Sequence, residues 1–254
     1  MAPAFRNSYK APEHVPGNDT EPPESYDINC NIPIPSKLET DRVLLVPFVP
    51  SLHAKAYYES WTPDVDKYLP ISTPTYQSFL DFVENMIKRS PNSVGFAIID
   101  KTRPADPNSK IPGRVAGIIG YLNIVPSNFT LEIGPVIVLP AFQKTFVASN
   151  AIGLMLKYAL DVPNEEGTGG LGYRRVAWTA NPFNVASVNA AEKMGFKREG
   201  LIRYSWVLPE GRPGKEVDKR RGERNGRDSV LLSFCWDDWE NGGRELVEEK
   251  IKRV

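Results

Sequence analysis

One helix in the last third of this chain, bounded by a polar start and a glycine stop and set between two strands, constrains the fold more than any other segment. The helix opens at Asn184, whose side chain can accept from the free amides of a first helical turn, and closes at Gly195, just before Phe196. Strand-forming runs lie on both sides, Arg174–Asn181 and Phe196–Leu208. Upstream, Thr130–Leu139 reads as a strand. A helix over Phe146–Leu160 joins it to the 174–181 strand. Ala148, Ala151, Ile152, Met155 and Ala159 form the apolar stripe of that helix, and Pro163 with glycines 167, 169, 170 and 172 ends it. A strand–helix–strand passage of this kind implies a parallel neighbour pair joined by a crossover.

The segments before Thr130 follow a simpler pattern. Arg42–Val49 is rich in apolar and β-branched residues and reads as the first strand. Ser51 is expected to cap a short helix carrying Tyr57, Tyr58 and Trp61. A second helix begins near Thr75, with Phe79, Phe82, Val83, Met86 and Ile87 on one face. Val94–Asp100 and Arg114–Val125 are strands separated by a polar loop with Pro104, Pro107 and Pro112. These strands suit an antiparallel meander. The final hairpin pairs Phe196–Leu208 with Ser229–Trp236 across a charged loop, 209–228, and Asp237–Val254 reads as a charged terminal helix. The expected fold class is α/β (α+β), a mixed, mostly antiparallel sheet with one central parallel strand pair. Residues 1–37 hold seven prolines and suit neither helix nor central strand, so they form an N-terminal extension, a tether or a wrap. Residues 38–240 form the main domain and 241–254 the C-terminal helix.

Composition removes several classes of function. Lys plus Arg equals Asp plus Glu, 31 against 31, which lacks the basic excess of a nucleic-acid footprint. Cys30 and Cys235 are the only cysteines, and with His14 and His53 they offer no metal-ligand spacing, so no metal is expected. Two isolated thiols suit a reducing, cytoplasmic compartment. No apolar run reaches membrane-spanning length, and the N-terminus lacks a signal-peptide core, so no membrane partner is expected.

Asn184, followed eleven residues later by Gly195 and twelve later by Phe196, with Lys193 between, resembles a pattern of the GCN5-related N-acetyltransferases, the GNAT superfamily. Glu199-Gly200, Arg203, Glu132-Ile133-Gly134 and Pro140–Gln143 resemble its ribosomal-protein-alanine-acetyltransferase-like branch. The resemblance implies a GNAT fold with helices on both faces of the sheet. It implies acetyl-CoA as cosubstrate and transfer of acetyl to a primary amine by direct attack on the thioester. The acceptor is a small-molecule amine or a peptide N-terminus. A homodimer is left open. The alternative is a non-catalytic GNAT-like acyl-CoA-binding or scaffold domain. Two departures support that alternative. Phe146 stands where the superfamily's phosphate loop has its central glycine, and Ala191 stands where many members carry a tyrosine that protonates the leaving thiolate.

The resemblance assigns the cofactor-binding positions. Backbone amides from Gln143 through Lys144, Thr145, Phe146, Val147 and Ala148 would meet the phosphates at a helix start, and Lys144 could add a charge. Val136, Ile137 and Val138 would pair with the pantetheine arm as an added strand. Asn184 could bond a pantetheine amide or serve only as a cap. Among catalytic groups, Glu132 is a mid-strand glutamate, an unfavourable place that suggests a site residue, here the general base. Ser187, one turn beyond Asn184, is the candidate to protonate the thiolate, with water or Tyr204 as substitutes. The aromatics Tyr57, Tyr58, Trp61, Tyr68 and Tyr121, near the expected acceptor mouth, read as core before pocket, and the charges of 209–228 as solvated surface, with a lid or a contact to an acidic partner as the alternative.

Overall fold

The computed structural model describes residues 6–105, 109, 111–165 and 169–253. Pro107 and Gly167, named above, fall outside them. The elements in chain order are β1 (Leu38–Glu39), β2 (Val43–Pro47), α1 (Pro50–Glu59), α2 (Tyr76–Phe82), β3 (Val94–Asp100), β4 (Arg114–Val125), β5 (Thr130–Val138), α3 (Phe146–Leu160), β6 (Arg175–Ala180), α4 (Val185–Lys193), β7 (Lys197–Val207), β8 (Gly226–Cys235), α5 (Trp236–Asp238) and α6 (Arg244–Lys252). The strands form one eight-stranded sheet in the order β1-β2-β3-β4-β5-β6-β8-β7. β5 and β6 are parallel. Every other neighbouring pair is antiparallel.

Local chemistry explains most element ends. Thr75 and Ser78 form a reciprocal capping box at α2, which then widens into a π-helical turn over Val83–Lys88. α1 starts one residue before the expected Ser51, and no side chain caps it. Pro50 takes the first helical position, where a missing N–H does no harm, and His53 Nδ1 accepts the Val49 N–H at 3.0 Å. β8 begins three residues earlier than expected, because Gly226 exchanges both backbone bonds with Lys215 at 2.8 Å and pairs with Val207. The hydrophobic stripe expected on α3 is too narrow. The helix is buried on nearly every side, since α6 packs on its outer face. Gly153 makes room there for Ile251 and Val247. Ala148 is only half-buried.

Residues 13–33 run along α2 and its π-helical extension. Gly17 N–H donates to Asp81 at 2.9 Å, Asn85 bonds both polar atoms of the Val15 backbone, and Lys88 pairs with Glu21 at 2.5 Å. Tyr158 anchors the end of the segment by donating to the Pro33 carbonyl at 2.6 Å. At the other edge, Arg175 of β6 and Ser233 of β8 both donate to Glu199 of β7. Those bonds, Arg175 first, hold the Glu199 carboxyl at about 2.

His53 is buried against Phe48, with ring centroids 5.4 Å apart. Burial lowers its pKa to about 4. The unfolded chain binds this proton near pH 6.5 and the folded chain does not, so stability present above pH 6.5 is lost as pH falls towards 4. Between pH 7 and pH 5 the loss attributable to His53 is on the order of 2 kcal/mol. Urea unfolding across this range should show the slope, and His53→Gln should flatten it.

Candidate active site

The parallel pair lasts three rungs, Thr130 with Arg175, Leu131 with Val176 and Glu132 with Ala177. Beyond them the strands part. β5 continues on β4, through Val136–Ile119, Ile137–Ile118 and Val138–Gly117, while β6 continues on β8 as far as Ala180 with Val230. Two features of the sequence favour the parting. Pro135 has no N–H with which to continue a ladder. On the other side of β5, the pairing with β4 slips between Ile119 and Tyr121, leaving Gly120 at the irregularity. A Cβ on Gly120 would lie 2.4 Å from the Val94 carbonyl oxygen and 3.0 Å from that of Gly134. Only glycine permits that approach, and such an irregularity bends and twists its strand.

The gap is an open cleft. Val136, Ile137 and Val138 of β5 line it with Ala148 of α3, and Asn184 and Ser187 line it from the start of α4. Towards the last parallel rung it continues into a mostly apolar cavity that Glu132, Thr179 and Arg227 also line. Val136, Trp178, Asn184 and Ser187 border both parts.

Glu132 stands at the rung where the strands separate. Thr179 Oγ1 donates to its Oε1 at 2.5 Å and Asn123 Nδ2 to its Oε2 at 2.9 Å, so the carboxylate has a fixed orientation. Ser187 Oγ accepts from Trp178 Nε1 at 3.1 Å. Its own proton has no acceptor among the described residues. Asn184 caps α4 by accepting the Ser187 N–H at 3.1 Å, and its Nδ2 carries no bond among the described residues. Its oxygen serves the helix, and its amide nitrogen is left unbonded in a residue that lines the cleft. Ala191 is fully buried and adds no hydroxyl.

The loop before α3 is less uniform than the sequence reading. Gln143 is engaged twice: its N–H donates to Pro140 at 3.3 Å and its Nε2 to the Val138 carbonyl at 2.9 Å. That second bond ties the loop to the end of β5 and occupies one backbone acceptor of the cleft. Thr145 caps α3 through the Val147 N–H, and Val147 is buried in the core. The amides of Lys144, Thr145, Phe146 and Ala148 carry no bond among the described residues. Lys144 is exposed in the left-handed region, with φ 59°. The Phe146 ring lies 4.4 Å from the Arg42 guanidinium, which donates to the carbonyls of Ile251 and Arg253 at 2.7 and 2.6 Å. The side chain that replaces glycine is therefore turned towards the C-terminal helix.

Two readings of the sequence need correction. Tyr57 and Tyr121 are core, but Tyr68 lines both parts of the cleft. The charged 209–228 run is not uniformly solvated. Arg212 reaches back to Asp66 at 2.6 Å and to its carbonyl at 2.7 Å. Arg227 is only 6% exposed and donates to the Tyr68 carbonyl at 3.2 Å. These two arginines hold the 66–71 segment over the cavity. Nothing in the sequence separates them from their charged neighbours.

The model of the GNAT acetyltransferase domain matches residues 42–197. The chain belongs to the GNAT acetyltransferase family. Solved structures agree in fold. A GCN5-related N-acetyltransferase from Brucella melitensis is 25% identical, with TM-score 0.68 and 86% of each chain covered. RimJ from Mycobacterium smegmatis, solved with CoA-disulfide, is 15% identical, with TM-score 0.57, 82% of this chain and 88% of that one covered. Spermidine N-acetyltransferase from Vibrio cholerae, solved with CoA and spermine, is 13% identical, with TM-score 0.55, 80% of this chain and all of that one, 100%, covered. Comparison with curated protein sequences gave no match. Among the described residues no helix of this GNAT chain is long and apolar enough to cross a membrane.

Gly120→Ala should destabilise the chain by about 1–3 kcal/mol, because two carbonyls must move to admit one methyl group. Gly200→Ala is the control: nothing lies within 4 Å of its Cβ position, and its midpoint in urea should hardly change.

Proposed function

We propose that this GNAT chain is an acetyl-CoA-dependent N-acetyltransferase acting on a primary amine by direct attack on the thioester. The observation that carries the reading is the three-rung parallel pair that opens after Glu132 into a cleft between β5 and β6. The cleft has free amides at the start of α3 at one end and a carboxylate at the other.

The residues present suit acetyl-CoA. Unbonded amides between Lys144 and Ala148, at the positive end of the α3 dipole, would hold the phosphates, each such charge contributing about 0.3–1 kcal/mol. The β5 backbone from Ile133 to Ile137, unpaired on its β6 side, would take the pantetheine arm as a strand partner. Asn184 Nδ2 would donate to a pantetheine carbonyl. When bound, acetyl-CoA supplies an activated acyl carbon with a thiol leaving group.

The chain's own chemistry is proton handling. A lysine-like amine of pKa ~10.4 costs roughly 4.6 kcal/mol to deprotonate at pH 7, and an α-amine of ~7.8 about 1 kcal/mol. Glu132 accepts the amine proton, directly or through water, with Thr179 and Asn123 fixing its two oxygens. The nitrogen lone pair forms the new bond to the acyl carbon, the carbon–sulfur bond breaks, and the second amine proton replaces the one that Ser187 or water gives to the sulfur. Ser187, its oxygen already bonded by Trp178, points its free proton at the leaving sulfur, and water is the alternative donor. A thiol of pKa near ~8.5 needs little help, which makes the alanine at position 191 tolerable.

Titration calorimetry with acetyl-CoA, followed by thiol release with a panel of amines, tests the reading. Binding and turnover are expected, and binding without turnover would favour a non-catalytic role. Glu132→Gln should lower kcat/KM at pH 7 on the order of 10²-fold for amines of high pKa and clearly less for amines of low pKa. An equal effect on both would remove Glu132 as base. Asn184→Ala should weaken acetyl-CoA binding, and an unchanged affinity would leave Asn184 as a cap alone.

A further inference from the structure

The cavity beside Glu132 has a second charged group that the proposed transfer does not use. Among the described residues Glu132 and Arg227 are the only charged side chains lining it, and Leu69, Ile71, Phe82, Met86, Ile87 and Trp206 supply much of its apolar wall. Arg227 is a buried cation without a carboxylate partner: among the described residues no ion pair within 4.0 Å reaches it. Its bonds go to neutral acceptors, Nε to the Asp228 carbonyl at 3.3 Å, Nη1 to the Tyr68 carbonyl at 3.2 Å and Nη2 to Ser229 Oγ at 2.7 Å. Three of its five N–H donors are thus engaged, and two have no partner among the described residues. Burial pulls the guanidinium below its ordinary value, and the charge of Glu132 opposes this from beyond contact range. Arg212, in the loop before β8, shows the contrast. Its head group is neutralised directly by Asp66 at 2.6 Å.

A buried guanidinium with unused donors is costly unless an anion completes it. Its planar fork matches a carboxylate, which can accept two parallel bonds. The amine to be acetylated must approach Glu132 and the thioester. One fixed anion and one fixed cation, set apart in an otherwise apolar cavity, complement a compact zwitterion. A polyamine would meet one carboxylate and a repelling cation. A peptide N-terminus would bring a neutral amide to Arg227 and leave it uncompensated.

We infer that the acceptor is an α-amino acid with an apolar or aromatic side chain. Arg227 receives its carboxylate, Glu132 faces its amine, and Phe82 and Met86 contact its side chain. Arg227 is thereby a specificity-determining residue. This inference rests on the N-acetyltransferase reading of the same site, and its test separates the two.

The experiment uses the full chain. Thiol release from acetyl-CoA is followed with L-phenylalanine, 2-phenylethylamine, L-phenylalaninamide and the dipeptide Phe-Gly, and calorimetry measures binding of the same four compounds without acetyl-CoA. L-Phenylalanine should exceed 2-phenylethylamine at least tenfold in kcat/KM and in affinity. Arg227→Gln should erase that ratio by raising KM for the amino acid at least tenfold more than for the amine. Turnover of the amine, amide or dipeptide as fast as the amino acid would overturn the inference and leave the transferase reading intact. Carboxylate-selective binding without turnover would sustain the Arg227 subsite and overturn the transferase reading. An Arg227→Gln variant that lowers all four substrates alike would overturn the specificity role. If that variant does not fold, the wild-type comparison of amino acid with amine decides the matter.

Discussion

The separation of β5 from β6 after the Glu132–Ala177 rung is the constraint from which the rest of the site follows. Two neighbouring strands ordinarily continue their ladder, because an unpaired buried N–H or C=O is expensive. Here each strand keeps a partner on its far side, β4 for β5 and β8 for β6, so the sheet stays intact while the inner edges open. The Gly120 contact with the Val94 and Gly134 carbonyls and the missing donor of Pro135 act on the same few residues. An open inner edge exposes backbone groups that a ligand can pair with, and the proposed carrier path uses that of β5.

The helices that flank this opening are held by contacts far from it. α3 is wedged between the sheet and α6, and Arg42 ties its first residue to the carbonyls at the end of α6. The wall carrying Phe82 and Met86 belongs to α2 and its π-helical turn, whose outer face is bonded to residues 13–21. Its roof, residues 66–71, is held by Arg212 and Arg227. Segments from both ends of the chain therefore brace the walls of the cleft from outside, while the residues lining it lie between Asp64 and Arg227.

Much of the fold was legible because the sequence punctuates it clearly. β4 and α3 have the bounds expected of them, Arg114–Val125 and Phe146–Leu160, since prolines and polar residues bracket each. The start of α1 was misread because Ser51 looks like a cap while Pro50 and His53 do the work. The start of β8 was misread because Gly226, Arg227 and Asp228 look like loop and pair as strand. Within the site, Glu132, Asn184 and Ser187 could be singled out, the first by its odd place in a strand, Asn184 by the family resemblance, and Ser187 by lying one turn beyond it. Thr179, Trp178 and Tyr68 could not, because their contribution is a hydrogen bond or a wall supplied by another element. Arg227 was hidden among like residues of one charged run, and burial alone distinguishes it.

A crystal structure of the chain with acetyl-CoA tests the central claim most directly. The account predicts the pantetheine arm lying between β5 and β6, bonded to the β5 backbone between Ile133 and Ile137, with the acetyl group beside Glu132 and Ser187. Acetyl-CoA bound elsewhere on the chain, with the opening between the two strands left untouched, would contradict it.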